Sequence, residues 1–100
     1  MVQAIENWAD LSGGLREVRP RPGVPQMSEL AIEVERADDV EGFPNAFADA
    51  PGGELTVAIE TEKVEQAGVR PGDSVRVRAQ RATPSLVIAH PDGLAKTESS

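Results

Sequence analysis

The strongest constraint on the fold of this chain is a repeated two-residue alternation of apolar and polar side chains. Over residues 29–35, apolar side chains stand at positions 30, 32 and 34, and glutamates stand at 29, 33 and 35. Residues 54–60 and 74–80 follow the same period. Successive side chains of a strand point to opposite faces of a sheet, so each segment predicts a strand with one buried face.

Two further strands complete the predicted sheet. Residues 85–89 form a short continuous apolar run, which is typical of a strand buried on both faces. Residues 5–18 are interpreted as one long strand, kinked where Gly13 and Gly14 permit a bulge. The alternative for this segment is a short helix that ends before Ser12.

One helix is predicted, over residues 61–67, directly after the third strand. Thr61 is expected to cap its N-terminus and Gly68 to end it. Pro71 and Gly72 then take the two central positions of a predicted type II turn, which leads into the fourth strand.

Three segments are predicted to lie outside regular structure. Residues 19–26 contain three prolines and one glycine and predict an extended loop, because proline cannot donate to a strand ladder. Residues 37–53 predict a second, longer loop. Residues 93–100 are expected to form a flexible C-terminal tail, which leaves residues 1–92 as a single domain.

Composition limits the core and the chemistry. Hydrophobic residues make up 39% of the chain and aromatic residues only 3%, so the core must consist of Val, Leu, Ile and Ala. The chain has no cysteine, which excludes disulfides and thiolate metal sites, and no cofactor is predicted. No stretch approaches the roughly 20 apolar residues of a membrane helix, and no signal peptide is visible. A cytoplasmic location is therefore expected.

Charge disfavours polyanionic partners. The formal net charge is −7, so the protein is repelled on average by nucleic acid and by anionic membranes. The charge is segregated along the chain: residues 28–62 hold ten acidic residues and one arginine, whereas residues 66–90 hold four arginines and one aspartate. Arginine accounts for eight of the ten basic residues, which favours bidentate pairing with carboxylates or phosphates.

The predicted order of elements, three strands, a helix and two strands, resembles that of the OB-fold superfamily. The resemblance extends to a long first strand with internal glycines and to the turn of residues 68–73 before the fourth strand. It covers residues 5–90 and implies a mainly β fold, a small five-stranded OB-like β-barrel with one short helix between strands 3 and 4. Another small barrel with a similar helix-to-strand turn is the alternative.

Residues suited to catalysis or metal binding are few. His90 is the only histidine and precedes Asp92 by two residues, a spacing that can place a base beside an orienting carboxylate. The same segment matches a strand end followed by a Pro-Asp-Gly turn. We therefore predict that the protein is not an enzyme. Four acidic residues of the second loop do not have the spacing of a calcium loop, and we interpret them as solvated; they are Asp38, Asp39, Glu41 and Asp49.

Arginines form the main candidate for an anion-binding or nucleic-acid-binding site. The alternation places Arg76 and Arg78 on the outer face of the fourth strand. If the first strand pairs with the fourth, arginines of both strands form a basic stripe that can follow a phosphate backbone. The predicted stripe consists of Arg16, Arg19, Arg21, Arg76, Arg78 and Arg81. The alternative is that these arginines pair with carboxylates on neighbouring strands.

Phe43 and Phe47 are the candidates for contact with a partner, since both lie in the long loop. The alternative is that they fold over one end of the barrel. The sequence thus predicts a non-enzymatic binding or assembly module, most simply one for protein–protein interaction. The alternative function is weak single-stranded nucleic-acid binding through the arginine stripe.

Overall fold

The computed structural model describes residues 6–97 and shows a mainly β chain with one short helix. The elements are β1 (Ala9–Arg21), β2 (Val24–Asp39), β3 (Glu54–Glu60), α1 (Thr61–Ala67), β4 (Ser74–Thr83) and β5 (Leu86–Lys96). The predicted order of strands and helix is confirmed. The predicted beginning of the first strand at residue 5 lies outside the described residues.

The five strands form one closed sheet in the order β1-β2-β3-β5-β4, and β4 returns to β1. The predicted pairing of the first strand with the fourth is confirmed. All neighbouring pairs are antiparallel except β3 and β5, which run parallel and share a single bridge between Ala58 and Ile88.

The alternating segments bury the faces that the sequence predicts. Leu30, Ile32 and Val34 of β2 lie inside the closed sheet, and Val57 and Ile59 of β3 lie beside them. The β4 members of the core are Val75, Val77 and Ala79. Burying one such aliphatic side chain contributes about 1.5–3 kcal/mol, so the repeated period is also the main source of stability.

Gly13 allows β1 and β2 to approach closely. A Cβ atom at this position would overlap the carbonyl oxygen of Glu33. The register between the two strands shifts between Ser12 and Gly13, which confirms the predicted bulge at the glycines. The absence of a side chain at Gly13 therefore permits the close approach of the longest strand pair at this bulge.

Residues 19–26 are not the predicted extended loop. β1 continues to Arg21 and β2 begins at Val24, so only Pro22 and Gly23 connect the two strands. Gly23 has a φ of 77°, the conformation that the third position of a type II turn requires. Proline is tolerated at a strand edge that needs no ladder donor, and Pro20 lies beyond the part of β1 that pairs with β4.

The helix and the turn after it largely follow the sequence. The helix ends at Gly68, which has a left-handed φ of 67°, and Gly72 lies in the tight turn before β4 with a φ of 99°. The predicted cap is wrong: Glu60 is the N-cap residue and makes no side-chain cap bond. The Thr61 hydroxyl instead lies 2.7 Å from the hydroxyl of Ser28, which joins the helix to β2.

β5 is longer than the predicted strand, and it is not buried on both faces. Val87 is its buried residue, whereas Leu86 and Ile88 are half-buried. The expected tail begins too early, since β5 extends to Lys96; residues 98–100 lie outside the described residues. Between Ala89 and Leu94, β5 bulges by three extra residues relative to β4. No helix within residues 6–97 has the length and apolar character needed to cross a bilayer.

Candidate functional site

Two adjoining clefts lie where the bulge of β5 meets β1 and β4. The charged cleft, of about 380 Å³, is lined by Asp10, Arg76, Arg78, His90, Asp92, Gly93 and Ala95. The aromatic cleft, of about 300 Å³, is lined by Glu6, Trp8, Val40, Phe43, Arg78 and His90. Arg78 and His90 belong to both clefts. Together the two clefts form one surface with an ionic half and an aromatic half, which we call the composite surface.

Asp10 is the centre of the charged cleft. It lies directly opposite Arg78 in the pairing of β1 with β4, and Arg76 lies opposite Ser12, two residues along. Arg78 donates from Nε and Nη2 to the two carboxylate oxygens at 2.9 and 3.1 Å, and Arg76 donates from Nη2 at 3.0 Å. Asp10 is only 8% exposed. Outward alternation on both strands thus brings one carboxylate against two guanidinium groups.

The ionic state of Asp10 follows from these contacts. The hydrogen bond from Arg78 lowers the pKa of the Asp10 carboxyl, burial opposes this effect, and the hydrogen bond from Arg76 adds to the lowering. The hydrogen bond with Asp10 in turn raises the pKa of Arg78. Asp10 and Arg78 therefore stay ionised together at neutral pH. With one carboxylate and two guanidinium groups, the cluster has one more formal positive than negative charge.

The bulge of β5 forms one wall of the charged cleft. Gly93 packs so closely on β4 that a Cβ atom would lie 2.8 Å from Cβ of Arg78. Within the bulge, the backbone N–H of Asp92 donates to Nδ1 of His90 at 3.1 Å. The Asp92 carboxylate lies 3.9 Å from Nζ of Lys63. His90 and Asp92 are therefore not arranged as a base with an orienting carboxylate.

The aromatic cleft is built around Trp8 and His90. Their rings meet edge to face, with centroids 5.6 Å apart. Trp8 Nε1 donates to the Glu6 carboxylate at 2.9 Å, and the Trp8 backbone N–H donates to the carbonyl of Pro44 at 3.3 Å. The second bond ties the chain before β1 to the loop that carries Phe43. Phe43 is 39% exposed, a high value for a large apolar side chain.

The structure separates the six arginines of the predicted stripe. Arg16, Arg19 and Arg21, here called the hairpin arginines, follow the part of β1 that pairs with β4, which ends at Gly14. Arg76 and Arg78, here called the β4 arginines, lie on the composite surface. Ser12 is the β1 residue that pairs with Arg76. Arg21 lies nine residues further along β1, which is about 30 Å of extended chain.

Each hairpin arginine has a carboxylate partner on its own hairpin. Arg16 pairs with Glu33 at 2.7 Å, and Arg19 pairs with Glu29 at 3.1 Å. Arg19 also pairs with Glu17 at 3.2 Å, and Arg21 pairs with Glu29 at 3.4 Å. Three of these four pairs join β1 to β2, which is the predicted alternative of cross-strand pairing, and the Arg19–Glu17 pair lies within β1.

Arg81 and Phe47 lie together at a different place. The Arg81 guanidinium carbon is 5.0 Å from the centroid of the Phe47 ring, a cation–π contact. Phe47 is 1% exposed and belongs to the core, so its ring is not at the surface. Both residues line a third cleft, of about 440 Å³, together with Asp49 and Glu54. Of the two candidate contact phenylalanines, the structure leaves Phe43 accessible.

Three features of the composite surface were not predicted from the sequence: Asp10, Trp8 and the bulge of residues 90–93. Asp10 carries a signal in retrospect, because it precedes the buried Leu11 and so must point outward on β1. Its partners are fixed by the register with β4, which the sequence does not contain. Trp8 lies just before β1, where no periodicity marks its position.

The four acidic residues assigned to the predicted second loop are exposed, but the loop begins later than predicted, because β2 extends to Asp39. Asp38 pairs with Arg36 at 3.1 Å, and Asp39 accepts a hydrogen bond from the Asn45 amide at 2.9 Å. Among residues 6–97, no group of three or more acidic or histidine side chains is placed to hold a metal ion.

No protein-family model matches the chain. No curated protein matches it either. Inference about function therefore depends on the composite surface itself.

Proposed function

We propose that this protein is a non-enzymatic binding or assembly module that recognises a partner protein at the composite surface, in the cytoplasm. The observation that carries the proposal is the position of the exposed Phe43. It shares a cleft with Trp8 and His90, and this cleft adjoins the β4 arginines. Aromatic and arginine side chains are the residues that supply most of the binding energy in protein interfaces.

The proposed fold is an OB-like β-barrel, an architecture that serves as a binding scaffold in many proteins. The closed order β1-β2-β3-β5-β4 and the helix between β3 and β4 agree with that architecture. Such barrels present ligand surfaces on strands and loops while the core holds them rigid. Because one fold serves many ligands, the proposal depends on the composite surface and not on the fold.

The non-enzymatic part of the proposal is supported by the geometry at His90. Its Nδ1 atom accepts the backbone N–H of Asp92, and the Asp92 carboxylate is directed to Lys63. The His90 ring packs against Trp8. These contacts give the histidine a structural position in the wall between the two clefts.

A capture experiment with two matched variants tests the function. Phe43 and Val24 are the large apolar side chains with the highest exposure among the described residues, 39% and 37%. The immobilised protein is incubated with an extract of its source cells, and bound proteins are identified by mass spectrometry. Phe43→Ser should lose the specific partner, whereas Val24→Ser, on the hairpin, should keep it. Equal capture by both variants would contradict the proposal.

Single-stranded nucleic acid is the second candidate ligand. The specific observation in its favour is that Arg78 lines one cleft with Trp8 and Phe43 and the adjoining cleft with Arg76. Guanidinium groups and aromatic rings therefore share the composite surface. Amide NMR titration with a mixed-sequence oligonucleotide, at low and then physiological salt, separates the two functions. Shifts at β1 and β4 that weaken with salt would favour nucleic acid.

A further inference from the structure

We propose that the charged cleft is a carboxylate subsite, which takes an aspartate or glutamate side chain of the partner while a neighbouring apolar side chain packs on Trp8 and Phe43. This inference rests on the proposed function and adds the chemical class of the residue that is recognised. It predicts that the partner presents an acidic residue directly beside an apolar one.

The first support is the unused donor capacity of the β4 arginines. A guanidinium has five N–H donors and two edges that can each grip a carboxylate. Arg78 uses Nε and Nη2 on Asp10, and Arg76 uses only Nη2. The edge of Arg78 that contains Nη1 is not used in binding Asp10, nor are Nε and Nη1 of Arg76. The side chains of Arg76 and Arg78 are 56% and 43% exposed, so a ligand can reach these donors.

The second support is that Asp10 holds the donors in place before a ligand arrives. It contacts both arginines through short hydrogen bonds and is itself almost fully buried. Gly93 packs against the Arg78 backbone from the side of β5. A guanidinium that is already oriented loses less side-chain entropy on binding, which raises its affinity for a planar anion.

The third support is the charge of the surroundings, which favours a single carboxylate over a polyanion. Around the charged cleft, Arg76, Arg78 and Lys63 face Asp10 and Asp92, an excess of one positive charge. Glu6 lines the adjoining aromatic cleft, and the whole chain carries −7. One anionic group matches the local excess, whereas a strand with many phosphates meets repulsion beyond it.

The hairpin arginines are an internal control for this inference. They also lie at the surface of β1, but three glutamates on the same hairpin already engage them. An added carboxylate there competes with a carboxylate fixed on the neighbouring strand. The hairpin arginines and the β4 arginines should therefore respond differently to the same anion in one sample.

The first experiment adds sodium acetate to the full chain and follows the arginine Nε–H resonances by NMR, with sodium chloride at equal ionic strength as the reference. Arg76 and Arg78 should shift several times more than Arg16 and Arg19. Equal shifts for all four arginines would overturn the carboxylate subsite, because they would show unspecific screening.

The second experiment titrates two blocked dipeptides, acetyl-Phe-Glu-amide and acetyl-Phe-Gln-amide, into the same protein. The glutamate peptide should bind about fivefold to tenfold more tightly, the difference expected for hydrogen bonds to a charged partner. Arg76→Gln should abolish this preference, and Arg19→Gln should preserve it. Arg76 is exposed, and Asp10 keeps its two bonds to Arg78 in this variant.

The outcomes separate failure of the subsite from failure of the function. Equal binding of both peptides, with shifts at Phe43, would overturn the subsite and keep the protein-interaction function. A selective acetate response without binding of either peptide would keep the subsite and overturn that function. Tighter binding of a short oligothymidylate at the same residues would overturn the peptide ligand in favour of single-stranded nucleic acid.

Discussion

The hairpin arginines and the β4 arginines occupy comparable places on adjoining strands, but their carboxylate partners differ in number and in burial. On the hairpin, three arginines share three glutamates, and the Arg16–Glu33 pair is more than half exposed on both sides. On β4, two arginines share one buried aspartate. The comparison teaches that the surplus of arginines over carboxylates, and not the number of arginines, distinguishes the surface that we propose to take up a carboxylate.

Among the variants that test this comparison, Gly93→Ala should change stability most, because Gly93 packs against Arg78. In Gly93→Ala, the new Cβ would lie 2.8 Å from Cβ and 3.1 Å from N of Arg78, so the bulge must move. We expect a loss of about 1–3 kcal/mol in the free energy of unfolding, measured by urea denaturation. Gly14→Ala is the control, since nothing lies within 4 Å of its Cβ position. Equal stability of both variants would contradict the tight contact.

The second prediction removes the shared carboxylate. Asp10→Asn keeps the size of the side chain but leaves two guanidinium groups beside a neutral amide. We expect a loss of about 1–2 kcal/mol in unfolding free energy, because charged hydrogen bonds at a buried acceptor are replaced by weaker ones. Thermal or urea unfolding measures the change. A variant as stable as the parent would show that the β4 pair is no stronger than a surface ion pair.

The third prediction concerns acid. Since hydrogen bonds from Arg78 and Arg76 lower the pKa of Asp10 in the folded state, its contribution to stability is complete above the unfolded-state pKa, near pH 4. It is lost as the pH falls through the lower folded-state pKa. The stability difference between the parent and Asp10→Asn should therefore be constant from pH 7 to about pH 5 and shrink below about pH 4. A difference that grows in acid would contradict the lowered pKa.

The smallest effect is expected on the hairpin. Glu33→Gln breaks the pair with Arg16, whose side chains are 57% and 61% exposed. Such pairs contribute about 0–1 kcal/mol, so urea unfolding should barely change. The same variant sharpens the comparison in another way, because Arg16 loses its partner. Its Nε–H resonance should then respond to acetate more strongly than in the parent protein.

Local periodicity explains why much of the fold could be predicted. The two-residue alternation is written into each segment, so the strands around Ile32, Val57 and Val77 needed no knowledge of their neighbours. The outward position of the β4 arginines followed from the same period. The helix was equally local, since Gly68 ends it by a left-handed conformation that glycine adopts at low cost.

Two errors in the strand bounds arose where proline and glycine were interpreted as ends of strands. Pro20 lies within β1 beyond the part that pairs with β4, and Pro91 lies within the bulge of β5. Pro20 has no β4 neighbour, and Pro91 lies where the pairing of β5 with β4 is interrupted. The missing proline N–H therefore removes no hydrogen bond to that neighbouring strand. Whether a proline can lie within a strand depends on which strand pairs with it, and strand pairing cannot be read from the local sequence.

The candidate site was less predictable than the fold, because it depends on contacts between distant segments. The partnership of Asp10 with Arg78 joins residues 68 positions apart and requires the closing register of β1 with β4. Phe43 and Phe47 lie four residues apart in one loop, yet one is exposed and the other buried. No local signal distinguishes them, since both are flanked by small and polar residues.

The closed sheet has its fewest strand pairings between β3 and β5, which share a single bridge. β1 pairs with β2 and β2 with β3, and β4 pairs with β5, so the chain contains a three-stranded meander and a separate hairpin. These two units meet along the six residue pairs of β1 and β4, and again at Ala58 and Ile88. Local opening should begin at that parallel contact, so backbone amides there should exchange with solvent deuterium soonest among the strands. The composite surface includes the contact of β1 with β4 at Asp10 and Arg78, and we expect that part of it to stay assembled during such openings.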